Sequence, residues 1–247
     1  SLGLSIGFVN HKDHKINILD APGSPDFIGD AIVAIPAVEN ALIVANAAGG
    51  FEVGMELAIE QIEHRKMGKV ILVNRMDNEH ADYDKTLEAI AENTGIKPIK
   101  LHIPIGKEGS FEGVVDVIRQ KAIRPAGEAE VPANLADAVE EARMHLMEAV
   151  AETDEELLNE FLENMELPED KLITGLKKGI ATGEVSPAFV CSAGTGVGVL
   201  AFLDGVINYL PSPFEASEIE VLANDEKQSF VCKPDGELLG YIFKLYA

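Results

Sequence analysis

The sequence predicts an α/β protein built on a doubly wound, mainly parallel sheet, and three features predict it. Continuous apolar runs rich in β-branched residues recur at Ile16–Leu19, Ala41–Ala45, Val70–Val73 and Pro187–Cys191, and such runs suit parallel strands covered on both faces. Helical patterns separate the runs, which is the βαβ alternation of doubly wound folds. Three of the runs lead directly into polar turns that carry usable chemistry, where ligands of open α/β sheets bind.

Taken in order, Ile16–Leu19 reads as a short buried strand ending at Asp20, and Ala41–Ala45 and Val70–Val73 read as the next two. Between the latter pair, Met55, Ile59 and Ile62 share one helical face and Glu56, Glu60 and Glu63 another. His64, Arg65 and Lys66 read as its last turn and Gly68 as its stop. A further helix spans about 81–93, with Tyr83, Leu87 and Ile90 inward and Gly95 ending it. The pattern changes near Lys97-Pro98. A strand-like patch at Gly113–Ile118 is followed by a long helix carrying Leu135, Val139, Leu146 and Val150. Thr153 and Glu156 form a candidate capping box for a second helix with Leu157 and Phe161 inward. Pro168-Glu169 opens a third. The α/β alternation resumes at Pro187, so the middle block reads as an insertion. A helix with Leu200, Leu203, Ile207 and Leu210 follows and ends at Pro211. Residues 214–225 read as a linker, and the end as a β-hairpin: Phe230–Cys232, a Pro234-Asp235-Gly236 turn, then Tyr241–Leu245.

Composition narrows the function. The chain has 247 residues, 47% of them hydrophobic, enough for one large or two small cores. No apolar run approaches the roughly 18 residues that span a bilayer, and two cysteines are too few for a disulfide scaffold, so a reducing cytoplasm is the expected setting. A net charge of −22 argues against gripping nucleic acid through a broad electrostatic footprint.

Three turns carry the chemistry. Asp20-Ala21-Pro22-Gly23 follows a strand. An acid there can hold Mg²⁺ through water, and a glycine three residues on lets its N–H approach a terminal phosphate. Asn74-Arg75-Met76-Asp77 follows the next-but-one strand. The Asp77 carboxylate can accept from both N1–H and the 2-amino group of guanine, a donor pair that adenine lacks. Asn74 would brace the loop and contact the base, and Arg75 would cover the purine as a planar group. In Cys191-Ser192-Ala193-Gly194, backbone amides of Ser192 and Ala193 can meet the guanine carbonyl. Each turn alone is also an ordinary loop; their common position after strands, in this order, is what gives them weight. Gly194–Gly198 matches neither phosphate-binding fingerprint. His11–His14 reads as a polar hairpin turn rather than a metal pair.

These motifs resemble a translational GTPase of the elongation factor G type. His14–Phe27 is similar to that family's second switch, Asn74–Asp77 to its guanine motif, and Ser192-Ala193 to its last base loop. Phe111–Asp116 resembles the opening of the family's inserted G-prime subdomain, and Tyr209–Pro213 the exit from its GTPase domain. The terminal hairpin resembles the start of its β-barrel second domain, so the likeness covers essentially the whole chain. Two departures stand out. Where the family has a water-positioning His after the switch glycine, this chain has Ser24 followed by Pro25, and in that it is closer to elongation-factor-G-like paralogues. No G-x-x-x-x-G-K-[ST] occurs in these residues.

The resemblance implies a P-loop GTPase fold lacking its first strand and P-loop, with residues 1–97 and 187–213 as the GTPase core. Residues 98–186 become the α+β G-prime insertion, and 214–247 a linker and the start of a truncated β-barrel domain. It implies GTP or GDP bound by Asp20, Gly23, Asn74, Arg75, Asp77, Ser192 and Ala193, Mg²⁺ held through water by Asp20, and Ser24 at the catalytic water position. The parent protein is then a GTP-hydrolysing elongation factor acting on the ribosome, meeting the stalk protein through the insertion, with no membrane partner. This chain by itself is expected to be inactive. A weakly catalytic or non-catalytic guanine-nucleotide-binding regulator of the ribosome is the alternative, favoured by Ser24. An unrelated dinucleotide enzyme is disfavoured by the lack of G-x-G-x-x-G.

Overall fold

Two segments of unbroken hydrophobicity form the centre of the molecule. β4 (Gly68–Asn74) and β10 (Ser186–Val190) are the inner strands of a four-stranded parallel sheet, flanked by β3 (Asn40–Asn46) and β5 (Pro98–Lys100) in the order β3-β4-β10-β5. The computed structural model describes residues 2–65, 67–215, 219–223, 226–233, 235–236 and 238–245.

Alternation along β4 shows that both faces of the sheet are covered at its centre, while edge strand β3 leaves Leu42 and Val44 exposed. Ile71 and Val73 enter one apolar cluster with Ile43, Ala45, Ala188 and Val190. That cluster is closed by Ile59 and Ile62 of α2 (Val53–Glu63) and by Leu87 and Ile90 of α3 (Tyr83–Thr94). Val70 and Leu72 point the other way, into a cluster with Phe189 and Cys191. It is closed by Leu146 of α4 (Ala136–Ala151), Phe161 of α5 (Glu155–Asn164), Leu176 and Ile180 of α6 (Glu169–Ala181), and Phe202 and Tyr209 of α7 (Val199–Tyr209). The fold is therefore the doubly wound α/β arrangement read from the sequence. Each strand's side chains point alternately to its two faces.

A second, antiparallel sheet follows β5 directly: β6 (His102–Ile105), β7 (Gly113–Asp116), β8 (Lys121–Arg124) and β9 (Gly127–Ala129), in that order. Ile103, Ile105, Val115 and Ala122 share the apolar cluster of α4 and α6. The expected boundary at residue 98 thus falls at a strand of the parallel sheet, and the segment that follows shares a continuous core with that sheet.

Several elements differ from expectation. The strand ending at Asp20 exists as β2 (His14–Asp20), but it is largely exposed and pairs antiparallel with β1 (Ser5–His11) in a two-stranded sheet of their own. Asn17 interrupts its apolar residues and Ile18 is exposed, which suits a solvent-facing hairpin better than a buried strand. The His11–His14 turn is the hairpin tip, as expected, and His11 Nε2 and Lys12 Nζ lie 2.6 and 2.7 Å from Asp204 Oδ1 of α7. At the hairpin's other end, Leu4 N–H donates to Asp30 Oδ2 of α1 (Ile28–Ala34).

The helix expected to close with His64–Lys66 ends at Glu63, and Gly68 is already the first residue of β4. The cap of α5 is Asp154, not Thr153: its carboxylate accepts from Glu156 N–H, while the Thr153 hydroxyl donates to Val150 O. Leu200 lies 66% exposed, and α7 buries Ala201, Phe202, Gly205 and Tyr209 instead. The expected linker contains β11 (Ile219–Ala223), which pairs with β12 (Glu226–Phe230). The hairpin therefore forms earlier than Phe230–Leu245. Pro234, in the expected turn, lies outside the described residues, and Tyr241–Leu245 form no strand. No helix among the described residues is long and apolar enough to cross a membrane.

Candidate functional site

Parallel pairing fixes which loops meet. Because β3, β4 and β10 run the same way, the loops after Asn46, Asn74 and Val190 emerge at one edge of the sheet, with Asn46 opposite Asn74. The Asn74 side chain ties two of these loops together. Its Oδ1 accepts from Arg75 N–H at 2.8 Å, from Ala193 N–H at 2.9 Å and from the Cys191 thiol at 3.5 Å. Burial pushes the Cys191 thiol up to about 11, so it remains a neutral donor. The backbone adds a second link, Met76 N–H to Cys191 O at 3.3 Å.

Asp77 is fixed from the same side. The fully buried Ser192 hydroxyl donates to Asp77 Oδ1 at 2.6 Å. A carboxylate has about four lone-pair positions, and one donor leaves the rest for a ligand. Arg75 adopts a left-handed backbone with φ 66°, unusual for a non-glycine residue, and its side chain is exposed at the rim. Strained conformations of this kind concentrate where a loop is held for a function.

The Ser192-Ala193 turn is used differently from the sequence reading. Ser192 N–H donates to Val197 O and Ala193 N–H to Asn74 Oδ1, so both amides are engaged within the protein. Ser192 enters the site through its hydroxyl. Cys191 and the Thr195 backbone N–H, which donates to Ser192 Oγ at 3.3 Å, were not foreseen. The only signal for either in the sequence is adjacency to Ser192.

Asp20, Gly23 and Ser24 form a second group. Asp20 is exposed at the end of β2, outside the parallel sheet, so the expectation that it closes a strand of that sheet is corrected. A Cβ added at Gly23 would meet no protein atom within 4 Å, so packing does not demand glycine there. Ser24 is extended, φ −74° and ψ 136°, before a short 3₁₀ turn at Pro25–Phe27, as the following proline requires. No hydrogen bond joins this group to the Asn74–Asp77 and Ser192 loops among the described residues. The loop reaches the same sheet edge by resting on the first turn of α2, where Gly54 faces the Gly23 carbonyl.

The donor set suits a guanine base at Asn74, Asp77 and Ser192. For Mg²⁺ it offers one exposed carboxylate, Asp20, and no cluster of three metal-binding side chains exists among the described residues. That fits an ion held chiefly by nucleotide phosphates and water.

A doubly wound parallel sheet with these loops on its carboxyl edge defines a nucleotide-binding protein with the P-loop GTPase fold. Residues 4–212 match the family model of the elongation factor Tu GTP binding domain, and the chain belongs to that translational GTPase family. A crystal structure from Thermus thermophilus is similar, at 29% identity and a TM-score of 0.78, over 88% of this chain and 34% of that one. The chain thus spans about a third of the length of that relative.

Proposed function

We propose that this chain is the guanine-nucleotide-binding part of an elongation factor of the G type, coupling GTP binding and hydrolysis to ribosome function in the cytoplasm. The observation that carries the reading is the Asn74–Asp77–Ser192 cluster, in which a carboxylate is held by a buried hydroxyl at 2.6 Å. In this reading Asp77 accepts from guanine N1–H and the 2-amino group, Asn74 braces the pocket and contacts the base, and Arg75 covers the purine. Ser192 orients the carboxylate, and the Ser192-Ala193 turn lies toward the base carbonyl. Gly23 N–H meets the terminal phosphate, and Asp20 contacts Mg²⁺ through water. Positioning and charge stabilisation supply most of the catalysis in this reaction class.

Residues 1–97 and 187–213 are the proposed GTPase core and 98–186 the inserted subdomain, which would meet the ribosomal stalk protein. Residues 214–247 would lead into a β-barrel domain. The charge of −22 supports a protein contact over a broad nucleic-acid footprint.

The test uses the protein expressed from its whole reading frame. Wild type should prefer GTP and GDP over ATP, and Asp77→Asn should shift the preference toward xanthine nucleotides, because one acceptor becomes a donor. A competition assay showing unchanged base preference in the variant removes Asp77 from the site. Ser24 favours a second reading, a weakly catalytic regulator with the same base specificity and slow hydrolysis.

A further inference from the structure

Gly54 is a glycine in the first turn of α2, where its own backbone does not require one: it is helical, and alanine would favour the helix by about 1 kcal/mol. The reason for glycine lies across the contact. A Cβ built on Gly54 would overlap Gly23 O outright, and would stand 3.2 Å from Gly23 C and 3.6 Å from Pro25 Cδ. The nearest atom is a backbone carbonyl that no rotamer change can withdraw. Gly23 itself faces open space on its Cβ side. The glycine at 54 therefore accommodates the Gly23–Ser24 peptide, and the glycine at 23 leaves its other side open.

We propose that Gly54 is the positioning residue of the Asp20–Ser24 loop: the Gly23 carbonyl rests on the bare Cα of Gly54, and that seat fixes where the Gly23 N–H and the Ser24 side chain stand relative to the terminal phosphate of a nucleoside triphosphate. This rests on the guanine-nucleotide reading above. The base loops are held separately, by Asn74 and Ser192, so the seat governs the triphosphate end of the ligand without touching the base end. A methyl group at 54 must move the peptide by about 1 Å to relieve the overlap, a displacement of the size that costs about a hundredfold when it falls on a reacting centre.

The test compares GDP with a non-hydrolysable GTP analogue on the protein expressed from its whole reading frame, wild type against Gly54→Ala. The analogue should bind at least about tenfold more weakly to the variant, the loss expected for one hydrogen bond to a charged group, with GDP affinity unchanged. Equal weakening of both nucleotides, as a merely destabilised helix would give, overturns the proposal, and so does unchanged affinity for the analogue. A wild type that binds neither nucleotide overturns the guanine-site reading itself and this inference with it. A second measurement needs no variant. In the wild type, the Gly23 and Gly54 amide resonances should shift together when GDP is exchanged for the analogue, and a Gly54 amide that stays put while Gly23 moves defeats the proposal.

Discussion

Ser24 shows how much one side chain can carry. Its backbone is held extended by Pro25, and its carbonyl accepts from Phe27 N–H at 3.0 Å, closing the short turn that follows. A serine hydroxyl can hydrogen-bond a water but carries no positive charge, and it is shorter than an imidazole. Slow intrinsic hydrolysis is the expected behaviour, since losing a positioning or charge-stabilising group can cost orders of magnitude in this reaction class. Ser24→His should raise the ribosome-stimulated single-turnover rate, provided the turn lets the ring reach the water. A wild-type rate matching that of a His-bearing relative would show that another residue orients the water. In the proposed reading, Asp77 and Gly54 act at the same scale but at opposite ends of the nucleotide, one on the base and one on the phosphate loop.

At the scale of elements, the joint between the two sheets holds a pH-sensitive histidine. His102 opens β6, is fully buried, and has neither ring nitrogen hydrogen-bonded among the described residues. Its ring meets Phe189 of β10 edge-on, with centroids 4.9 Å apart. Burial pushes the imidazole down to about 3, so it stays neutral in the folded protein, while the unfolded chain takes up a proton near the ordinary value of 6.5. A depressed folded value means that His102 adds no pH-dependent cost above the unfolded pKa and destabilises progressively as pH falls from 6.5 toward about 3. The slope reaches about 1.4 kcal/mol per pH unit. His102→Leu should therefore gain on wild type as pH is lowered through this window. Urea midpoints measured at pH 7 and at pH 5 check it, and a constant difference between the two proteins refutes it.

For the molecule as a whole, the antiparallel sheet and α7 are joined by a buried polar contact inside a shared apolar core. Tyr209, the last residue of α7, donates its hydroxyl to Asp116 Oδ2 of β7 at 2.7 Å. Asp116 Oδ1 accepts from Ile118 and Arg119 N–H at 2.9 and 3.0 Å. Burial raises the Asp116 carboxyl, and these donors partly oppose that. Since α7 follows the Ser192 loop, the contact ties the antiparallel sheet to the element that leaves that loop. Tyr209→Phe keeps the ring's packing but leaves a buried carboxylate oxygen without its partner, which should cost about 1–3 kcal/mol. Equilibrium denaturation measures it, and a variant as stable as wild type would mean that water replaces the hydroxyl.

Much of this was legible in the sequence because it depends on local pattern. The runs at Val70 and Pro187 are apolar throughout, a signature of strands covered on both faces, so the centre of the parallel sheet could be read off; the equally apolar Ala41 run is an edge strand that leaves Leu42 and Val44 exposed. The polar turns at Asn74–Asp77 and Ser192 could be picked out because they follow such runs directly, and the structure brings the three side chains together. Only the tertiary structure decided that β2 stands apart from the parallel sheet, that Ser192 acts through its hydroxyl on Asp77, and that α5 is capped by Asp154. Pairing partners and hydrogen-bond choices are set between segments far apart in the chain, where several donors compete for one acceptor. Gly54 and His102 make the same point most sharply: as letters, they are a glycine in a helix and a histidine in a strand. Their meaning comes from the carbonyl and the phenyl ring that close packing brings against them.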